Sequence, residues 1–200
     1  MEQIRSFIAI ELPDELKLEL SQLEARLKSD QQFRVKWVKP DSIHLTLKFL
    51  GNIAPDRTSE ITGAMEKAAQ VVAPFQLKVK DLGVFPNLRR VQVVWVGLTG
   101  EIDKLVQLQQ RLESNLARLG FTPESRPFVS HLTLARVHEP ASAEERQRLG
   151  ELITGTNFKA KTIIEVAAIN LMKSQLTRQG AIYSRISSVR LKMPPPSAAT

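Results

Sequence analysis

The sequence predicts an α+β protein, with largely antiparallel sheets arranged in two lobes. Three observations carry that prediction. Alternating apolar stretches of strand length fall in neighbouring groups joined by turns, which favours antiparallel pairing over a parallel sheet. The order strand, helix, strands, helix, strands is followed by a second, broadly similar round. A four-residue phrase is written once in each round, as His44-Leu45-Thr46-Leu47 and as His131-Leu132-Thr133-Leu134. Each lobe is expected to supply one such strand to a shared central cleft. Because the lobes are expected to share a core, residues 1–191 are read as one bilobal domain.

In chain order, Ile4 to Glu11 reads as a buried strand through Phe7, Ile8, Ala9 and Ile10. Pro13-Asp14 opens a helix whose Leu16, Leu20, Leu23 and Leu27 share one face, ending near Lys28-Ser29. Gln31 to Val38 alternates through Phe33, Val35 and Trp37 as a strand or extended approach to Pro40. The first phrase predicts a strand over 43–50, closed by a turn at Gly51-Asn52. Pro55-Asp56 starts a second helix through Ile61, Ala64, Met65, Ala68 and Val72. Phe75 to Val84 and Arg90 to Leu98 read as partner strands, joined by the basic connection Phe85 to Arg90.

The clearest helix runs from Glu101 to Leu119, with Ile102, Leu105, Leu108, Leu112, Leu116 and Leu119 at helical spacing and Gly120 as its stop. The second phrase predicts a strand over 128–137. Ser142, with Glu145 three residues on, caps a short helix. Phe158 to Ile164, Ala167 to Ser174 and Ala181 to Leu191 read as three strands. Residues 192–200, rich in Pro, Ser and Ala, are expected to form a disordered tail.

A strand sends alternate side chains to opposite faces, so each phrase offers an imidazole and a hydroxyl on one side and two leucines on the other. The leucines enter a core and fix the aim of the polar pair. Two such strands across a cleft bring together two imidazoles, one able to accept a proton while the other donates, and two hydroxyls suited to phosphate oxygens. Acid–base catalysis run on such a pair has a bell-shaped pH profile, because one histidine must be neutral and the other protonated.

The composition narrows the possibilities. Absence of cysteine excludes thiol catalysis, disulfides and thiolate metal sites. No signal-peptide layout and no long apolar run is present, so a cytoplasmic protein with no membrane association is expected. Lys plus Arg outnumber Asp plus Glu by 28 to 21, which favours a polyanionic partner.

At these residues the chain resembles the 2H phosphoesterase superfamily, and within it the RNA 2′,3′-cyclic phosphodiesterases, also called 2′-5′ RNA ligases. The resemblance covers Arg5 to Leu191. It is carried by Arg5 to Ile10, Trp37 to Gly51, Val84-Phe85-Pro86 with Val91 to Val96, Arg126 to Arg136, Leu171 to Ser174 and Gly180 to Tyr183. Ser42 and Ser130 depart from the asparagine and proline that family members often carry there. The resemblance implies a bilobal, pseudo-twofold fold and metal-independent hydrolysis of an RNA-terminal 2′,3′-cyclic phosphate to a 2′-phosphate. It implies no cofactor, His44 as general acid and His131 as base. Thr46 and Thr133 would hold the phosphate oxygens, and Arg136 would neutralise developing charge.

Arg136 lies five residues from His131, which on a regular strand is the opposite face, so its role requires a bulge or bend between them, or the reach of a long arginine side chain. His138 reads as a surface residue. Lys48, Arg89, Arg90 and Arg126 are candidates for the RNA backbone. Trp37, Phe7 and Phe85 are candidates for stacking on a base, with core packing the stronger reading for Phe7 and Trp37. No metal site is expected, because the phrase pairs His with Thr and not with a carboxylate. The expected partner is RNA ending in a 2′,3′-cyclic phosphate, and the expected state is a monomer. Two rivals remain: the same site run backwards as a 2′-5′ ligase, and an RNA-binding module without turnover.

Overall fold

The structure is a computed structural model that describes residues 3–29, 33–177 and 180–192. Its elements are β1 (Ile4–Glu11), α1 (Asp14–Ser29), β2 (Val35–Trp37), β3 (His44–Ile53), α2 (Thr58–Ala69), β4 (Phe75–Phe85) and β5 (Val93–Gly100). They continue with α3 (Ile102–Ala117), β6 (His131–Val137), α4 (Ala143–Gly155), β7 (Lys159–Val166), β8 (Ala168–Thr177) and β9 (Gly180–Arg190). Two sheets result, ordered β3-β1-β8-β9 and β2-β6-β5-β4-β7. Every strand pairing is antiparallel.

The two histidine phrases fall in different sheets, as expected, and occupy matching places. β3 pairs with β1, and β1 with β8; β6 pairs with β5, and β5 with β4. β2 belongs to the second sheet although β1 and β3 lie in the first, β4 to β7 stay in the second, and β8 and β9 return to the first, so the chain crosses between the sheets four times. One core joins them. Leu45 and Leu47 of β3 lie in the same buried cluster as Leu132 and Leu134 of β6, together with the apolar faces of the helices. The α3 residues Leu105, Leu108, Leu112 and Leu116 are fully buried there, each worth about 1.5–3 kcal/mol against exposure.

Several boundaries differ from the sequence expectation. β3 continues through Gly51-Asn52 to Ile53, because Gly51 at φ +72° accommodates an irregularity without ending the pairing with β1. The segment before Pro40 keeps only the three residues of β2 as strand, and Pro55–Arg57 forms a 3-10 turn before α2. Ser142 caps α4 with a reciprocal capping box to Glu145, and the helix runs 13 residues rather than staying short. At the C-terminus, Lys192 donates its backbone N–H to the Ala69 carbonyl, and the rest of the expected tail, 193–200, lies outside the described residues. No helix among the described residues is long and apolar enough to cross a membrane.

Candidate active site

The site begins with a repeated irregularity. Between β1 and β3 the register shifts at Ile8/Ala9, which face Lys48 and Thr46, so Leu47 is an extra residue. Between β5 and β6 it shifts at Val94/Trp95, which face Ala135 and Thr133, so Leu134 is extra. Both bulges fall on the second leucine of the phrase. Each turns two consecutive side chains to the core, Leu47 with Lys48 and Leu134 with Ala135, and then resets the alternation. His44, Thr46 and Phe49 therefore share one face, and His131, Thr133 and Arg136 share the corresponding face in the other lobe. β3 and β6 touch one another with their leucines in a common core, and the polar face of each is turned away from that core.

The two imidazoles are held alike. His44 Nδ1 lies 2.9 Å from the Ser42 carbonyl oxygen, and His131 Nδ1 lies 2.7 Å from that of Val129. A carbonyl only accepts, so each Nδ1 carries a proton and each neutral ring leaves Nε2 as its free lone pair. An aromatic edge braces each ring: Tyr183 meets His44 at 5.0 Å and 88°, and Phe85 meets His131 at 5.1 Å and 88°. The matching backbone anchors and braces give the lobes a local pseudo-twofold relation.

Their surroundings otherwise diverge. His44 is stacked on buried Phe7 at 4.6 Å, and that burial holds its pKa below the ordinary histidine value. The Ser42 hydrogen bond and the charge of Glu11, its cross-strand partner, oppose the shift. Glu11 Oε2 accepts from Asn170 Nδ2 at 2.7 Å and from Arg185, whose Nε and Nη2 lie at 2.9 and 2.6 Å. Beside His131 stands Trp95, 6.3 Å away and paired in register with Thr133. Its indole lies over Gly83, where an added Cβ would come within 2.2 Å of the ring. The Trp95 Nε1–H is buried without a partner among the described residues.

The sequence-derived candidates separate cleanly. His44 and Thr46 share one face of β3, and His131, Thr133 and Arg136 share one face of β6, Arg136 set there by the bulge at Leu134. Lys48 is a correction. The matching bulge turns it toward the core side, where Nζ donates to Glu113 Oε2 at 2.9 Å and to the Thr122 carbonyl at 2.8 Å. It is buried and committed to α3, so it does not contact RNA. Arg89 and Arg90 are exposed in the β4–β5 connection, their backbone N–H groups bonded to Asn87 Oδ1, and Arg126 is exposed in the loop before β6. His138 is exposed just after β6. Phe7 is buried under His44, and Trp37 packs against the core with the Lys28 amine 5.1 Å above its ring.

Four site residues escaped the sequence reading: Glu11, Phe49, Trp95 and Tyr183. Phe49 shows the signal that was missed, since the bulge inferred for Arg136 in one copy of the phrase moves Phe49 by the same step in the other. Among the described residues, no group of three His, Asp or Glu side chains is placed to hold a metal ion.

Comparison with known proteins follows this geometry. The family described as LigT like phosphoesterase matches the chain twice, over residues 10–95 and 96–183, one match for each histidine phrase. The RNA 2′,3′-cyclic phosphodiesterase of Methanothermobacter thermautotrophicus is 33% identical over 94% of this chain and the whole of that relative. The enzyme of the same name from Aquifex aeolicus is 31% identical over 86% of this chain and 91% of its own length. The crystal structure of E. coli LigT complexed with 3′-AMP superposes with a TM-score of 0.77 at 26% identity, covering 96% of this chain and all of that one. With one match on each half and relatives aligned nearly end to end, the chain belongs to the LigT-like phosphoesterases, the 2H family that its paired phrases resemble.

Proposed function

We propose that this protein is a metal-independent RNA 2′,3′-cyclic phosphodiesterase that leaves a 2′-phosphate. The observation that supports it is that two strands bulged at the same step each hold a histidine by an Nδ1 hydrogen bond to a backbone carbonyl, which leaves Nε2 for chemistry. The names of the relatives from M. thermautotrophicus and A. aeolicus supply the substrate class.

In the proposed reaction, His131 Nε2 takes a proton from water as the oxygen attacks phosphorus. The bond from phosphorus to the 3′ oxygen breaks, and His44 Nε2–H gives that oxygen its proton. Thr46 and Thr133 hold the non-bridging oxygens, and Arg136 balances their growing charge. Burial keeps free His44 neutral, so its acid role draws on the substrate: the phosphate anion favours the protonated ring, reinforced by Glu11. With a 5′-hydroxyl attacking phosphorus in place of water and the 3′ oxygen leaving as before, the same groups make a 2′-5′ linkage. RNA of this kind is the proposed partner, met in the cytoplasm by a monomer.

The test is release of a 2′-phosphate end from a short RNA bearing a 2′,3′-cyclic phosphate, with EDTA present. The unaltered chain turns it over, and His44→Ala and His131→Ala each lose about 10²- to 10⁴-fold, the usual span for one acid–base group. An unaltered chain that binds the RNA without turnover would refute the enzyme and favour an RNA-binding module.

A further inference from the structure

The two histidine phrases share their backbone geometry, but the residue facing each imidazole differs. Opposite His44, on β1, stands Glu11; opposite His131, on β5, stands Gly97. The two positions correspond, because β1 stands to β3 as β5 stands to β6, with Ala9 facing Thr46 where Trp95 faces Thr133. Residues directly opposite on antiparallel strands share a face, their Cβ atoms about 4.5–5.5 Å apart. One imidazole therefore has a carboxylate across from it, and the other has no side chain there. Backbone crowding maintains the difference: a Cβ added at Gly97 would come within 2.9 Å of the Lys80 carbonyl oxygen.

The sheet holds Glu11 in place. Asn170 lies opposite Ala9 on β8, and Arg185 lies opposite Met172 on β9, so both reach Glu11 along the face that carries His44. Their three bonds all go to Glu11 Oε2, at 2.6 to 2.9 Å. Charge-assisted donors of this kind orient a carboxylate in its ionised form. The other titratable or charged groups around His44 are Tyr183, whose ring meets the imidazole edge-on, Arg185, and Lys39 and Asp41 in the turn beside Ser42, both exposed. On the other sheet, Arg136 shares the face of His131. Glu11 is the group whose charge acts on the His44 ring, against the burial that disfavours its protonated form.

We propose that Glu11 is the positioning residue that makes His44, and not His131, the proton donor of the reaction. The inference rests on the phosphodiesterase reading and adds a physical reason for the division of roles. Both rings bond through Nδ1 to the carbonyl two residues back, so the local backbone does not tell them apart. The anion opposite His44 favours its imidazolium, the form that gives up a proton, while the glycine opposite His131 offers an imidazolium no such support. Glu11 acts through His44 and touches no reacting atom in this role.

The experiment compares the unaltered chain with Glu11→Gln, which keeps an acceptor for Asn170 and Arg185 but loses the charge, and Glu11→Asp, which keeps the charge. The imidazole titrations of the three histidines are followed by NMR, and kcat/KM is measured on a short RNA ending in a 2′,3′-cyclic phosphate, both from about pH 5 to about pH 9. In Glu11→Gln the His44 ring is expected to titrate at lower pH while His131 is unmoved. Its kcat/KM is about 3- to 30-fold down at the alkaline end, the effect of one nearby carboxylate on one acid. The deficit closes as pH falls, because below both titrations His44 is protonated in either chain, and Glu11→Asp recovers most of it. An unmoved His44 titration, equal movement of both rings, or a deficit of one size at every pH overturns the proposal. If the unaltered chain turns over no such RNA, the phosphodiesterase reading fails and the donor role fails with it, whatever the titrations show.

Discussion

Replacement of Lys48 by Met separates a structural amine from a nucleic-acid contact. Met keeps most of the apolar stem and removes the charge. The Lys48 and Glu113 side chains are 6% and 17% exposed, and the amine also satisfies the Thr122 carbonyl. Breaking a buried pair from one side costs about 3–5 kcal/mol, because it strands the other charge. Glu113 keeps some solvent and two other donors, the Gln109 amide at 3.1 Å and the Glu124 backbone N–H at 3.4 Å. The loss is accordingly set lower, at about 2–3 kcal/mol. For a chain of this size each kcal/mol lowers Tm by about 2–4 °C, so a fall of roughly 4–12 °C is expected.

Thermal unfolding followed by circular dichroism measures that fall. Adding Glu113→Gln to the Lys48→Met chain removes the stranded charge and recovers part of it. A second assay follows RNA affinity against salt concentration. A lysine that contacts phosphate reduces the slope of log K against log salt by about 0.7 for a single strand. The structure requires an unchanged slope and a lowered Tm. A flatter slope with Tm preserved would refute both the register of β3 beyond the bulge and the burial of this amine.

Two further perturbations address the histidines. Unfolded His44 takes up its proton near the ordinary value of about 6.5, while the folded ring does so only at lower pH. The unfolded state thus binds more protons in that window, and stability falls as pH drops below about 6.5 until the folded ring also titrates. His44→Asn should remove this part of the acid limb in urea melts recorded at a series of pH values, and an unchanged limb would contradict the burial of His44. Gly83→Ala drives a methyl group into the Trp95 indole and should cost about 1–3 kcal/mol while shifting tryptophan emission and lowering kcat/KM through the neighbouring His131. Unaltered emission and kinetics would mean that the indole does not lie over Gly83.

What was legible in the sequence follows physical range. The strands, helices and shared core were readable because each rests on local periodicity, as with the α3 leucines, or on a local stop such as Gly120 at φ +86°. The paired histidines were readable because a repeated phrase carries its own register: the leucines enter the core and the His and Thr are set opposite. Glu11, Trp95 and Tyr183 were not, because they reach the histidines across strands, and cross-strand pairing is decided by the whole sheet. Glu11 is the clearest case, an end-of-strand carboxylate made relevant only by its register with His44 and by donors from β8 and β9.

The bulges account for the remaining successes and failures together. Strict alternation puts Lys48 in the cleft and removes Arg136 from it, and both assignments are inverted by one extra residue at the same step of each phrase. A bulge on both strands at equivalent leucines is a property of the repeated unit, so a deduction made for one copy holds for the other. Requiring a bulge to bring Arg136 beside His131 therefore also buries Lys48 and delivers Phe49 to the cleft. The lobes share backbone geometry down to this irregularity and differ in what it delivers.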